Sequence, residues 1–231
     1  MRSALITGAN RGLGLEFTTQ LLDAGWQVTA CCRAPSQARE LHALAARHAG
    51  RIELLALDVA DAAALADLPA RLRALRHLDL LINNAGVLVS GERFGTVRSE
   101  NLALSFAINA SAPLLLTQAL APLLERAHAA KVLCISSQLG SIAQASSFRT
   151  VSYAMSKAAL DMAVRRLAAE LGPRGISVLA MHPGWVRTDM GGASAPLLPQ
   201  VAVSGMLAVL ARATPAQGGN FYAYDGSELP W

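Results

Sequence analysis

Short apolar segments of strand length alternate with longer segments of helical spacing along this whole chain, and that alternation leaves few architectures open. The apolar runs are RSALITG, WQVTACCR, RIELLALDV, LDLLINNAG, KVLCISS, ISVLAMHPG and a last one around GNFYAY. Several are apolar at successive positions rather than at every second one, so both strand faces need cover. Helix-length connections return the chain to start the next strand in the same direction, which yields a parallel sheet with helices on both sides. The expected fold class is α/β, a doubly wound parallel sheet of about seven strands. Residues 1–231 read as a single domain, without linker, repeat or low-complexity stretch.

The helical segments have legible ends. GLEFTTQLLDAG carries Leu15, Thr18, Leu21 and Leu22 at helical spacing and stops at Gly25, and SQARELHALAARHAG also ends on glycine. DAAALADLPARLRAL reads as a helix interrupted by Pro69. A long helix is expected over about Glu100 to Ala127, another from about Ser152 to Leu171, and a last one from about Val201 to Arg212. The third strand is expected to run to Asp58 and Val59. In such sheets ligands bind just outside the carboxyl ends of the strands, so chemistry is expected in the residues that follow each strand.

Composition removes several function classes. Hydrophobic residues make up 53% and charged residues 16%, a globular balance. No apolar run approaches the roughly 18 residues of a membrane span, and the N-terminus reads as having no apolar leader with a cleavage site. A cytoplasmic protein without membrane partners is the resulting expectation. The three cysteines, Cys31, Cys32 and Cys134, lie in apolar runs without a metal-binding spacing, so they read as reduced, buried thiols and no metal is expected. The net charge is +4, and eighteen of the twenty basic residues are arginines spread along the chain. No basic stripe with stacking aromatics is visible, which argues against nucleic acid as a partner.

The strand ends carry polar motifs. TGANRGLG follows the first strand, with glycines at 8, 12 and 14. Such a turn lets the backbone approach a pyrophosphate, and the following helix N-terminus offers N–H donors and partial positive charge. CCRAP follows the second strand, where a carboxylate would normally receive the 2′-hydroxyl of an NAD ribose. Arg33 stands there instead, and Arg11 lies inside the glycine turn. Two guanidiniums suit a 2′-phosphate, which favours NADP(H) over NAD(H). Asp58 after the third strand could accept from an adenine amino group, NNAG follows the fourth, and Asn109 sits at mid-helix, where asparagine is costly.

Only three tyrosines and two lysines occur in the chain, and one of each meets in VSYAMSKAAL as Tyr153 and Lys157. At a spacing of four they share one helix face. A free phenol titrates near 10, too high for acid–base work near neutrality. A neighbouring ammonium is expected to draw it down, with further help from an oxidised nicotinamide. Scarcity and spacing point to a tuned general acid–base.

Taken together, TGANRGLG, NNAG, Asn109, the serine strand end, YAMSK and HPGWVRT appear in the order found in the short-chain dehydrogenase/reductase family, and the chain resembles that family over its whole length. The resemblance implies a Rossmann-like fold and NAD(P)-dependent carbonyl or alcohol chemistry. Tyr153 would be the acid–base, Lys157 would lower its pKa and bind the nicotinamide ribose, and Ser137 would orient the substrate oxygen. Asn109 would hold a water of the proton relay. Gly8, Asn10, Arg11, Gly12, Leu13 and Gly14 would form the cofactor turn. Arg33, Asp58 and Val59 would meet the adenosine half, and Asn83, Ala85 and Gly86 would line the cofactor. Pro183, Gly184, Val186 and Thr188 would face the nicotinamide end.

Ser137 lies sixteen residues before Tyr153, a longer interval than in many family members, and Ser136 and Ser141 are alternatives for its role. That loop and the pieces GWVRTDMGG and YDGSELPW resemble the subgroup containing C-factor and the Sniffer-type carbonyl reductases. The short segment after Thr188 implies an open pocket, with Leu139, Phe148, Trp185 and Met190 as either apolar walls or core. The leading expectation is an NADPH-dependent reductase of aldehydes, ketones or quinones. The alternative is a C-factor-like dinucleotide-binding signalling or regulatory protein with little turnover. The resemblance also implies a homodimer or homotetramer packed through the two long helices.

Overall fold

The computed structural model describes residues 1–231. Seven strands form one sheet: β1 (Ser3–Thr7), β2 (Gln27–Cys32), β3 (Ile52–Ala56), β4 (Leu80–Asn83), β5 (Lys131–Ile135), β6 (Ser177–His182) and β7 (Phe221–Ala223). Their order is β3-β2-β1-β4-β5-β6-β7, and every pairing is parallel. The direction of winding reverses between β1 and β4, so the crevice at their carboxyl ends is the topological switch point where this architecture binds ligands.

The helices are α1 (Gly12–Asp23), α2 (Arg39–Arg47), α3 (Ala62–Arg71), α4 (Ser99–Phe106), α5 (Ala112–Leu124), α6 (Val151–Leu171) and α7 (Pro199–Arg212). They cover both faces of the sheet, and the period of two along each strand divides the core between them. Leu5, Leu81, Val132 and Val178 join residues of α3, α5 and α6 in one cluster. Their sequence neighbours Ile6, Ile82, Leu133 and Leu179 join residues of α1, α2 and α7 in the other. Each fully buried leucine or phenylalanine, such as Phe17 or Leu116, contributes roughly 1.5–3 kcal/mol.

Four expectations need correction. Pro69 does not interrupt α3 but sits inside its last turn, where its missing N–H and ring cost one late bond while Leu65 and Leu68 stay buried. The third strand ends at Ala56, and Asp58 lies beyond it in a tight turn, its carboxylate accepting from the Ala60 N–H at 3.0 Å. Pro35–Gln37 forms a separate short turn ahead of α2. The continuous helix Ser99–Leu124 is, by length and composition, apolar enough to cross a membrane. Half of its most apolar window is buried against the sheet and its neighbours, the position of a core helix. Ser105, Asn109, Ser111 and Thr117 break up its apolar pattern and hide that length in the sequence.

Candidate active site

The crevice is floored by two turns. At the β1–α1 turn, Gly8 has a φ of +64°, which only glycine adopts without strain. A side chain at Gly14 would begin 2.2 Å from the Gly8 carbonyl oxygen, so the turn closes too tightly for any other residue. Arg11 is the N-cap of α1 but makes no side-chain cap bond, and no acidic residue occupies the first turn. The first N–H groups of α1 therefore remain free for an outside anion.

The β4 turn is joined to the β1 turn by hydrogen bonds. The Thr7 hydroxyl accepts from the Asn84 and Ala85 N–H groups, both at 3.0 Å, and the Asn84 amide donates to Thr7 O at 2.8 Å and Gly8 O at 3.2 Å. Asn83, expected to line the cofactor, turns inward and donates to Thr117 Oγ1 at 3.2 Å and Cys134 Sγ at 3.6 Å. Asn84 is the asparagine of this pair that faces the crevice floor.

The β6 loop closes the other side. The Thr188 side chain lies against Gly12, where an added Cβ would come within 3.3 Å of it. Asp189 pairs with Arg11 at 2.9 Å, although both side chains are largely exposed. Pro183 and Gly184 follow β6 directly, and Val186 is buried beneath the loop. Asn10 is exposed and Leu13 half-buried at the glycine turn. Arg33 directly follows β2 and Val59 lies three residues past β3, toward the sheet edge, and Arg33 is exposed.

The acid–base residues lie where β5 meets α6. Asn109 falls in a π-helical turn, Ala107–Ser111, that joins α4 to α5, a local form frequent at functional sites. Its amide is fully buried. It accepts from Val87 N at 2.8 Å and donates to Val87 O and Ser156 Oγ, both at 2.9 Å. Gly86 lies close by: a Cβ there would stand 3.3 Å from Asn109 Oδ1 and 3.9 Å from Lys157 Nζ. The glycine of the β4 turn thus borders the acid–base row.

Tyr153, Ser137 and Lys157 are all buried. Lys157 Nζ donates to Ile135 O at 2.7 Å and lies 5.6 Å from the Tyr153 ring centroid. Burial pushes the Tyr153 phenol up to about 12. The Ser137 hydroxyl opposes that rise, and the Asp161 charge adds to it. Burial draws Lys157 down to about 8, against the pull of Asp161 and Cys134. Lys157 is expected from the sequence to lower the phenol; in the structure removal from water raises it, and the group that opposes the rise is Ser137 rather than Lys157. Ser136 and Ser141 are also buried, but Ser136 is bonded to Asp161 Oδ1 at 2.6 Å.

Two supporting residues have no motif to announce them. Glu92, in the loop after β4, accepts from Ser152 N at 2.9 Å and from Ser152 Oγ at 2.5 Å, and so caps the helix that carries Tyr153. Asp161 lies one turn beyond Lys157, and its spacing of four was readable; its burial was not. Leu139, Phe148, Trp185 and Met190 are all exposed, which removes the core reading for them. Phe148 packs edge-on against Phe94 with ring centroids 5.5 Å apart. The three cysteines are buried and unpaired, and burial raises the thiol of each.

A family model described as short chain dehydrogenase matches residues 2–196. The chain belongs to the short-chain dehydrogenase family. It is an oxidoreductase of that family, acting on small molecules. Among relatives, C-signal of Myxococcus xanthus is 42% identical over 154 residues, which cover 67% of this chain and 93% of that protein. The carbonyl reductase Sniffer of D. melanogaster superposes with a TM-score of 0.95 at 35% identity, with complete coverage of both chains. An NADPH-bound carbonyl reductase from chicken fatty liver superposes at 0.91 with 36% identity, covering 100% of this chain and 99% of that one. The short-chain dehydrogenase fold and the likeness to Sniffer and C-signal agree with the family resemblance carried by the motifs.

Proposed function

We propose that this chain reduces the carbonyl group of an aldehyde, ketone or quinone with NADPH, Tyr153 giving the proton to the carbonyl oxygen. The observation that carries the reading is the buried row of Ser137, Tyr153 and Lys157 beside a crevice floored by the uncapped N-terminus of α1. The chicken-liver relative, with NADPH bound, supports the cofactor.

The residues present fit such a dinucleotide. Free N–H groups at Gly12, Leu13 and Gly14 would receive the pyrophosphate. Arg11 and Arg33 would hold a 2′-phosphate, Arg11 after leaving Asp189, and Asp58 and Val59 would meet the adenine. Ala85, Gly86, Pro183, Gly184, Val186 and Thr188 would line the nicotinamide half, and Lys157 would bond its ribose. When bound, the nicotinamide supplies the hydride.

Ser137 would donate to the substrate oxygen and fix it near Tyr153. A phenol whose pKa stands near 12 keeps its proton throughout the neutral range, the state an acid needs in a reduction. Lys157 would stabilise the phenolate left behind. Asn109, fixed by its bonds to Val87 and Ser156, would hold a water of the proton relay. The intact row favours turnover over a binding-only signalling role. Exposed Leu104, Leu114, Leu115 and Met162 on α4, α5 and α6 support a dimer or tetramer packed through these helices.

The test is a titration of the purified protein with NADPH and NADH by fluorescence, followed by a panel of carbonyl compounds. Tighter NADPH binding and reduction of at least one carbonyl are expected, with both the preference and its salt dependence diminished in Arg33→Ala. Equal affinities would overturn the 2′-phosphate assignment. Binding without any turnover would return the signalling reading.

A further inference from the structure

Three consecutive residues at the end of β5 meet three successive turns of α6. Ser137 faces Tyr153, the Ile135 carbonyl accepts from Lys157 at 2.7 Å, and the Ser136 hydroxyl donates to Asp161 at 2.6 Å. Tyr153, Lys157 and Asp161 follow one another at intervals of four on one helix face. The first two are absorbed by the proposed chemistry, and the third is not. Asp161 is only 4% exposed, and its Oδ2 is buried without a hydrogen-bond partner. A buried carboxylate with a free oxygen is expensive unless something else compensates it. The turn Gln138–Gly140 packs directly over this face. A Cβ at Gly140 would lie 2.8 Å from Lys157 Cβ and 3.0 Å from Asp161 Oδ2, so glycine leaves just enough room for both side chains.

We propose that Asp161 is a positioning residue for the acid–base pair: its carboxylate keeps the buried Lys157 ammonium charged and, through Ser136, holds the serine end of β5 in register with Tyr153. This role rests on the reductase reading, but its physical core, coupling between Asp161 and Lys157, is measurable without a substrate. The titratable groups around Asp161 are Lys157 and Tyr153 on its own helix, Cys134 on β5 and His182, which ends β6 one residue past the Met181 carbonyl that accepts from Ser136 N; the Gln138–Gly140 turn brings none. Burial raises Asp161 to about 7, while Ser136 and Lys157 pull it back. Lys157 falls to about 8. Two buried groups one helical turn apart, each shifted by the other's charge and adjacent in titration range, lose their protons in linked steps.

Because the chain has only two lysines, Lys131 and Lys157, selective 13Cε-lysine labelling gives two signals, assignable with Lys131→Arg. In the cofactor-free protein the Lys157 signal is expected to titrate in two steps, the lower one reporting Asp161. In Asp161→Asn the lower step should vanish and the upper midpoint fall by about one pH unit or more. In Ser136→Ala, which removes a bond that favours the carboxylate, the lower step should move to higher pH. A single-step titration in the unaltered protein would overturn the proposal. So would a lower step that persists in Asp161→Asn, since His182 would then be its source. If Asp161→Asn does not fold, an unmoved lower step in Ser136→Ala overturns it. In the reduction assay, the alkaline limb of kcat should shift toward acid in Asp161→Asn by the same interval as the Lys157 midpoint. Absence of carbonyl reduction in the unaltered protein, with the two-step titration intact, would sink the reductase reading and leave the coupling standing.

Discussion

The two halves of the crevice handle charge in opposite ways. On the β1–α1 side the candidate recognition groups are backbone N–H donors and exposed guanidiniums, and the Arg11–Asp189 pair stands in solvent. On the β5–α6 side, Tyr153, Lys157 and Asp161 are buried together and every one of them is shifted from its ordinary titration range. Charges in water are screened and exchange partners cheaply. Charges away from water interact strongly and shift one another. One sheet thus offers an exchangeable anion site and a dry acid–base row side by side, with Gly86 bordering both the β4 turn and Lys157.

Removing the phenol should break this division most severely. Tyr153→Phe is expected to lower kcat on the order of 10²–10⁴-fold while leaving NADPH affinity and folding nearly unchanged; steady-state kinetics beside a thermal-shift titration would check this. A comparable loss of binding in the variant would mean that the two halves are not separable. On the other side, Gly14→Ala forces a Cβ to within 2.2 Å of Gly8 O. It should cost about 1–3 kcal/mol of stability and weaken NADPH together with it, as read by denaturant unfolding with and without cofactor.

A pH series sharpens the contrast. Asp161 is raised from 3.8 to about 7, so the folded state holds a proton that the unfolded chain has already lost between those values. Its contribution to stability is present in full below about pH 4 and is lost as pH rises through about 7. Lys157, lowered from 10.5 to about 8, works in the other direction, and its contribution disappears as pH falls through about 8. Asp161→Asn should flatten the stability profile between pH 4 and 7 in urea unfolding, and an unchanged slope would place the titration elsewhere. The smallest effect is expected at the exposed pair. Asp189→Ala should change stability by less than about 0.5 kcal/mol, while isothermal titration should show NADPH bound slightly tighter because Arg11 is released.

What the sequence discloses follows the same boundary. The alternation of strands and helices, the glycine turn and the Tyr153–Lys157 row depend on local spacing and on backbone shapes that few residues allow, and each is legible in a short window. The direction in which Tyr153 shifts depends on burial, which no window contains. Asp161 has the same spacing from Lys157 as Lys157 has from Tyr153, yet only packing under Gly140 and the Ser136 bond give it meaning. Arg11 reads as a free guanidinium because Asp189, its partner, is remote in the chain. Asn83 and Asn84 are adjacent and chemically identical, and what separates them is that Asn83 ends β4 and bonds inward while Asn84, just past it, bonds to the β1 turn.

The bonds between Thr7 and the Asn84–Ala85 backbone have a consequence for how a dinucleotide is received. They fasten the turns after β1 and β4 into one rigid plate across the switch point. A ligand arriving there has no loop to order, so little of its affinity is lost to conformational entropy. The freedom to admit and release it is left to the opposite wall, where an exposed Arg11–Asp189 contact is the weak fastening.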